Sequence, residues 1–391
     1  MIKYILTICS LLLLLSCEEE PIGQQAIDNI SPNVVTNVNV TNKAGSAVIH
    51  YDNPIDEDFL YVKAIYTRKG QELCESKSSL YCDSLVVNGF SDVQEKEVKL
   101  IAVDRSQNES EPTIVKINPK TPPYISIANS LKFKPDFGGV ALSWDNEFAA
   151  KVAVSLWVQD SLSNEYSNIK TYYSDAASGE LSVRGLDTKE KRIKCYILDR
   201  WENKSETVYD TISPFYETKF DRKLFTAVDL PGESPGVFGW VRPKLWDGIK
   251  GNGYNGYSSP GGSGVWPHSI TIDLGKTGML SRIRIYQRSQ SFVFAEGNVR
   301  KFEVWGCETL DPSGDWDSWT MLGDFESIKP SGLPFGKVSN EDIYVANNGE
   351  DFTFSIDNPK VRYLRLKVKQ TWSNGDNFQM CELEVFGDNR E

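Results

Sequence analysis

The sequence predicts an all-β protein: two tandem immunoglobulin- or fibronectin-like sandwiches followed by a jelly-roll β-sandwich. Three observations carry this. Short apolar runs alternate with a period of two and are separated by turn residues, as strands with one packed face require. One β-unit of about 95 residues occurs twice in succession, a size that suits such a sandwich. The remainder of the chain keeps the alternation but holds seven of the ten tryptophans, so it is a third unit of different construction.

The chain begins MIKYILTICSLLLLLSC, with an apolar run from Ile5 to Leu15 that is too short for a permanent membrane span and reads as an export signal. Its ending, Leu14-Leu15-Ser16-Cys17, resembles the bacterial lipobox, in which the cysteine is acylated and becomes the mature N-terminus. Residues 1–17 are therefore expected to be a lipoprotein signal with Cys17 lipidated, and 18–30 a flexible tether. Glu18, Glu19 and Glu20 resemble the acidic tags that send lipoproteins to the outer face of the outer membrane in glycan-foraging Gram-negative bacteria.

Residues 31–119 and 120–217 form the repeated units. VKLIAVDRSQNESEP from Val98 recurs as IKCYILDRWENKSET from Ile193, so Asp104, Asn108 and Ser110 match Asp199, Asn203 and Ser205. Asp, Asn and Ser bond their own backbone in tight turns, so the shared D-R-x-x-N-x-S segment reads as a structural turn after a late strand. The proline-rich NPKTPPY, Asn118 to Tyr124, reads as an extended linker between the units. Cys74 and Cys82 flank what reads as a short polar turn and could close a hairpin disulfide in an oxidising compartment. Cys195, Cys307 and Cys381 sit in apolar strand-like runs and are expected to be buried.

The formal net charge of −12 argues against nucleic acid or an anionic membrane surface as partner, since both require a basic face. The lipid is thus the expected membrane contact. With two histidines and no C-x-x-C pair, a zinc site is not expected.

The third unit, 218–391, contains LWDG at Leu245, ITIDLGK at Ile270, RIRIYQR at Arg282, KFEVWG at Lys301, RYLRLKV at Arg362 and CELEVFG at Cys381. In this order they resemble the signatures of the discoidin, or factor V/VIII type C, family, whose galactose-binding-like jelly roll is similar to family 32 carbohydrate-binding modules. The resemblance implies a discoidin-like fold and glycan capture. It also implies a structural Ca²⁺ held by Asp247, Glu382 and loop carbonyls, with Asn252 standing where the family usually has a threonine and Ile249 where a second acid is common. The whole arrangement is similar to surface lipoproteins encoded beside starch-utilisation-type outer-membrane transporters.

Seven glycines between Gly248 and Gly264 share their loop with Tyr254 and Tyr257, and Trp266 closes it. A sugar packs its C–H face on an aromatic plane while polar side chains take its hydroxyls. The candidate aromatics are Trp240, Tyr254, Tyr257, Trp266, Phe292, Phe294, Trp316 and Trp372, with Trp372 and one or more of Tyr254, Tyr257 and Trp266 as the expected stacking surface. The polar candidates are Arg288, Asn298, Arg300, Asn374 and Asp376. Trp246, Trp305 and Trp319 adjoin strand signatures and are expected in the core. The function so predicted is a non-catalytic, glycan-binding outer-membrane lipoprotein that faces the cell exterior and assists polysaccharide uptake. The alternative is a protein-interaction subunit that docks to the transporter or to a partner lipoprotein. A glycoside hydrolase is disfavoured because no acidic pair lies in a recognisable catalytic motif.

Overall fold

The computed structural model describes residues 28–69, 72–160, 163–262 and 266–390. The signal segment, Cys17 and residues 18–27 of the expected tether lie outside them. Within the first unit, β1 (Thr36–Lys43), β2 (Ser46–Asp52), β3 (Phe59–Thr67), β4 (Leu73–Ser79), β5 (Ser84–Asn88), β6 (Lys96–Asp104) and β7 (Thr113–Ile117) form two antiparallel sheets, β1-β2-β5 and β4-β3-β6-β7. Alternate residues of β2 and β3, among them Ala47, Ile49, Val62 and Ala64, meet Val98 and Leu100 of β6 between the sheets.

The second unit repeats this plan with β8 (Lys132–Asp136), β9 (Gly139–Asp145), β10 (Val152–Gln159), β11 (Tyr166–Ser174), β12 (Ser178–Arg184), β13 (Lys191–Asp199) and β14 (Val208–Ile212), ordered β12-β9-β8 and β11-β10-β13-β14. The repeated motif makes the same bonds in both. Asn108 N and Asn203 N donate to Asp104 Oδ1 and Asp199 Oδ1 at 2.8 and 2.9 Å, while Ser110 Oγ and Ser205 Oγ each accept a backbone N–H of the preceding strand at 3.0 Å. The second Asn also reaches across, its Nδ2 donating to Gly89 O of the first unit at 3.2 Å.

Two expectations fail here. Cys74 and Cys82 do not flank a turn: Cys74 lies within β4, and Cys82 lies in the turn beyond it, its N–H bonded to Ser79 O. At about 3.3 Å per strand residue, Cys74 and Ser79 are roughly 17 Å apart, while a disulfide needs Cα atoms within about 7 Å. Both thiols are free. The misreading came from Glu75-Ser76-Lys77-Ser78-Ser79, which is polar because β4 is an edge strand. The proline-rich linker is also shorter than expected, because Pro123 opens helix α1 (Pro123–Ser130), where its missing N–H costs nothing. Ile127 and Ala128 of α1 cover one end of the second core.

The third unit contains β15 (Thr218–Lys219), β16 (Thr226–Val228), β17 (Gly236–Val237), β18 (Trp240–Val241), β19 (Tyr257–Ser258), β20 (His268–Tyr286), β21 (Val299–Cys307), β22 (Thr320–Glu326), α2 (Asn340–Asn348), β23 (Glu350–Thr353), β24 (Val361–Thr371), β25 (Gln379–Met380) and β26 (Glu382–Asp388). The long β20 runs through the whole sandwich. Its first half pairs with β16 and β24 and its second half with β23 and β26, with a register shift between Asp273 and Gly278. Ile270, Ile272, Leu280, Ile283, Leu364, Leu366, Leu383 and Val385 fill the core. Trp246 and Trp319 are buried and Trp305 half-buried. Helix α2 begins with a capping box in which Ser339 Oγ accepts from Asp342 N and Asp342 returns a bond to Ser339 N. Among the described residues, no helix is long and apolar enough to cross a membrane.

Candidate functional site

The glycine-rich loop is tied to the last two strands from both ends. Tyr257 and Ser258 pair with Met380 and Gln379 across β19 and β25, and Ser259 exchanges bonds with Phe378. Gly256 sits at φ +132°, and a Cβ there would lie 2.0 Å from Met380 O, so only glycine permits this approach. The loop is therefore folded onto the sandwich, and its aromatics separate according to which side of it they occupy.

Tyr257 is not a ligand platform. Its ring is fully buried 5.1 Å from Phe378, and its hydroxyl donates to Ser234 O at 3.0 Å. Trp266 stands edge-on to His268, packs against the core and donates its indole N–H to Lys369 O at 3.0 Å. Phe294 is buried with Val293 and Ala346 and forms an edge contact with the half-buried Trp372 at 5.0 Å. Trp372 is thus drawn into a small apolar cluster rather than set beside Tyr254, Tyr257 and Trp266. Asn298 is also removed from ligand: it is wholly buried, and its side chain ties down Arg288 N and Phe292 O. The aromatics are not separable by sequence, because a loop aromatic that covers a core end and one that faces solvent have the same sequence surroundings.

The remaining candidates fall into separate places. Trp316 packs on Trp305 at 5.2 Å, with the Arg365 guanidinium 3.8 Å above its ring. Arg300 pairs with Glu326 and lies 5.0 Å from the Trp372 ring. Asn374 accepts from Gln370, and Asp376 fastens the glycine loop by accepting from Gly262 N and, through its carbonyl, from His268.

Four candidates do converge. The Arg288 guanidinium lies 3.7 Å from the Phe292 ring centre and 4.9 Å from that of Trp240, with Nε donating to Gly253 O at 2.8 Å and Nη1 to Gln379 Oε1. Tyr254 stands edge-on to Phe292 at 5.7 Å and is 67% exposed. A Cβ on Gly253 would meet the Phe292 ring at 3.0 Å, so the glycine lets the loop reach this ring. Trp240 follows the tip of the β17–β18 hairpin, whose Phe238 is 98% exposed. The sequence reading missed Gln379 and Phe238, although Gly236-Val237-Phe238-Gly239-Trp240 carried a hairpin signal. The result is an open aromatic surface around one buried cation.

Next to β26, the Asp247–Gly248 turn meets Glu382, whose two oxygens accept the same Gly248 N–H at 3.0 and 3.1 Å. Glu382 is buried, and burial, helped by nearby Asp247, pushes its carboxyl up to about 7. Asp247 accepts from Ile249 N and Asn255 Nδ2. Asn252 turns its side-chain oxygen onto Tyr254 N at 2.7 Å, so its side chain serves its own turn.

Three family models match the chain, each described as a domain of unknown function, over residues 32–119, 120–223 and 246–387. No curated protein sequence matches. Among solved structures, a SusE-like protein is 30% identical, with 69% of this chain and 100% of that chain covered and a TM-score of 0.45. By sequence, this chain is similar to a SusE-like protein. A family 32 carbohydrate-binding module from Clostridium perfringens, solved with galactose, is 20% identical over 44% of this chain and 98% of its own, with a TM-score of 0.31. A two-domain fibronectin type III segment of chicken tenascin is 13% identical over 46% of this chain and 99% of its own, with a TM-score of 0.24.

Proposed function

We propose that this protein is a non-catalytic, glycan-binding lipoprotein of the outer membrane, anchored through Cys17 and facing outward, which captures polysaccharide for a starch-utilisation-type uptake system. The observation that carries the reading is the surface formed by Trp240, Tyr254 and Phe292 around Arg288: one exposed and two half-buried rings for a sugar's C–H face beside a polar donor for its hydroxyls. The 30% identity over the whole of a SusE-like protein is in keeping with it. Asp247 and Glu382, with carbonyls of the loop between them and Asn255, supply hard oxygen donors of the kind Ca²⁺ takes, and an ion there would brace the loop that presents Tyr254. Buried carboxylates elsewhere in the unit are tied into local bonds, Glu233 to Arg365 and Glu384 to Lys219 and Lys250.

A glycan array probed with the protein tests this, with Tyr254→Ala as the control. The variant should bind ten- to hundredfold more weakly, about 1 to 3 kcal/mol, at an unchanged melting temperature. Undiminished binding would remove the platform.

A second reading, docking to a transporter or partner lipoprotein, is favoured by a different surface. Ile328, Phe335 and Tyr344, in and before α2, are 71, 62 and 67% exposed. Phe335→Asp should leave glycan binding intact and weaken co-purification of the partner.

A further inference from the structure

Four arginines of the third unit are buried, and three of them face carboxylates. Arg242 meets Asp229 and Glu233, Arg282 meets Glu217 and Asp351, and Arg365 meets Glu233. Arg288 is the exception. It is 7% exposed, yet among the described residues no carboxylate lies within ion-pairing distance, and its protein partners are a carbonyl, a carboxamide and two ring faces. Glu296 acts on it electrostatically without forming an ion pair. Among the described residues Nη2 has no protein acceptor, although it is not sealed from solvent as the unsatisfied buried atoms elsewhere are.

A buried cation left without an anion is costly, and the folded protein normally supplies one. Here the guanidinium lies against the Phe292 and Trp240 rings and is fixed through Nε and Nη1, so its position is set before any ligand arrives. The outer edge, Nη2 with the second hydrogen of Nη1, has the fork geometry that matches two oxygens of a carboxylate or sulfate.

Building on the glycan-binding reading above, we propose that the glycan is acidic: the surface takes a sugar bearing a carboxylate or sulfate ester, with the oxyanion on the Nη edge of Arg288 and the pyranose face against Tyr254 or Trp240. A neutral sugar would leave the cation unpaired in the complex as well, with its last water displaced. The acidic group therefore separates ligand from non-ligand more strongly than ring stereochemistry does.

The test uses matched glycan pairs on the unmodified protein: uronate oligosaccharides against their carboxyl-reduced forms, and sulfated oligosaccharides against their desulfated forms, alongside a panel of neutral glycans. At least one acidic member should bind ten times more tightly than its neutral partner or better, and should weaken as salt rises. The pair that responds identifies carboxylate or sulfate. Arg288→Gln should bring that ratio to about one, with melting followed in parallel, and Arg288→Lys should restore part of it. Equal affinity within every pair, or binding confined to neutral glycans, overturns the acidic assignment while leaving glycan binding intact. Absence of binding to every glycan overturns both.

Discussion

Replacing Glu382 by glutamine separates the electrostatic role of this carboxylate from its place in the fold. Free glutamate titrates near 4.5, whereas in the folded chain burial pushes Glu382 up to about 7. The folded state therefore holds this proton more tightly than the unfolded one does. In metal-free protein the corresponding stability is fully present below pH 4.5 and is lost as the pH rises through 7. Two to three pKa units correspond to about 3 kcal/mol, and for a domain of this size each kcal/mol moves the melting temperature by about 2 to 4 °C, so the third unit should lose roughly 6 to 12 °C. The carboxylate form is also the one that binds metal, so Ca²⁺ should matter in the opposite sense. Below pH 7 its apparent affinity should fall about tenfold per pH unit, and the rise in melting temperature on adding excess calcium should grow from pH 6 to pH 8. Glu382→Gln, neutral at every pH and a poor calcium ligand, should flatten both curves. The assay is calorimetric melting of both proteins across this range, in chelator and in calcium. If wild type and variant show the same slope in chelator, Glu382 is not a perturbed carboxylate. If wild type melts alike with calcium and chelator at pH 8, there is no ion.

Further outcomes follow from the same geometry. Tyr257→Ala, which removes a fully buried ring, should destabilise the third unit by about 3 to 5 kcal/mol, measured by denaturant unfolding, whereas Tyr254→Ala should leave it unmoved. Trp240→Ala should weaken glycan binding about tenfold with little change in melting, and an equal loss of both would place Trp240 in the core instead. Asn203→Ala should cost more stability than Asn108→Ala, because Asn203 is buried and its Nδ2 bonds Gly89 O of the first unit away from solvent, whereas the bonds of Asn108 Nδ2 to Asp28 O and Ile30 O lie nearer the surface; equal costs in urea melts would discount that difference. Cys17→Ala should move the protein from the membrane fraction to the soluble one, and retention in the membrane would refute the anchor.

The pattern of side chains along the sequence already determined the class of fold. Period-two alternation such as Ile270-Ile272-Leu274 is local, and a strand with one buried face needs nothing else to be recognised. The repeat was legible for the same reason: Asp104 and Asn108, like Asp199 and Asn203, bond within one turn, so their roles are carried by spacing alone. Asp247 and Glu382 could be named together only through a family resemblance, since 134 residues separate the turn from the strand that meets it.

The tertiary structure decided which aromatics face solvent. Tyr254 and Tyr257 are three residues apart in one glycine-rich loop, yet one is 67% exposed and the other fully buried, because β19 pairs with β25 and turns Tyr257 inward. Phe292 and Phe294 also part, the half-buried ring toward Arg288 and the buried one toward Trp372. Exposure in a loop depends on which distant segment covers it, and no local period encodes that. The unpaired state of Arg288 is the extreme case, for a missing carboxylate is a property of every chain segment around it and of no residue in its own stretch of sequence.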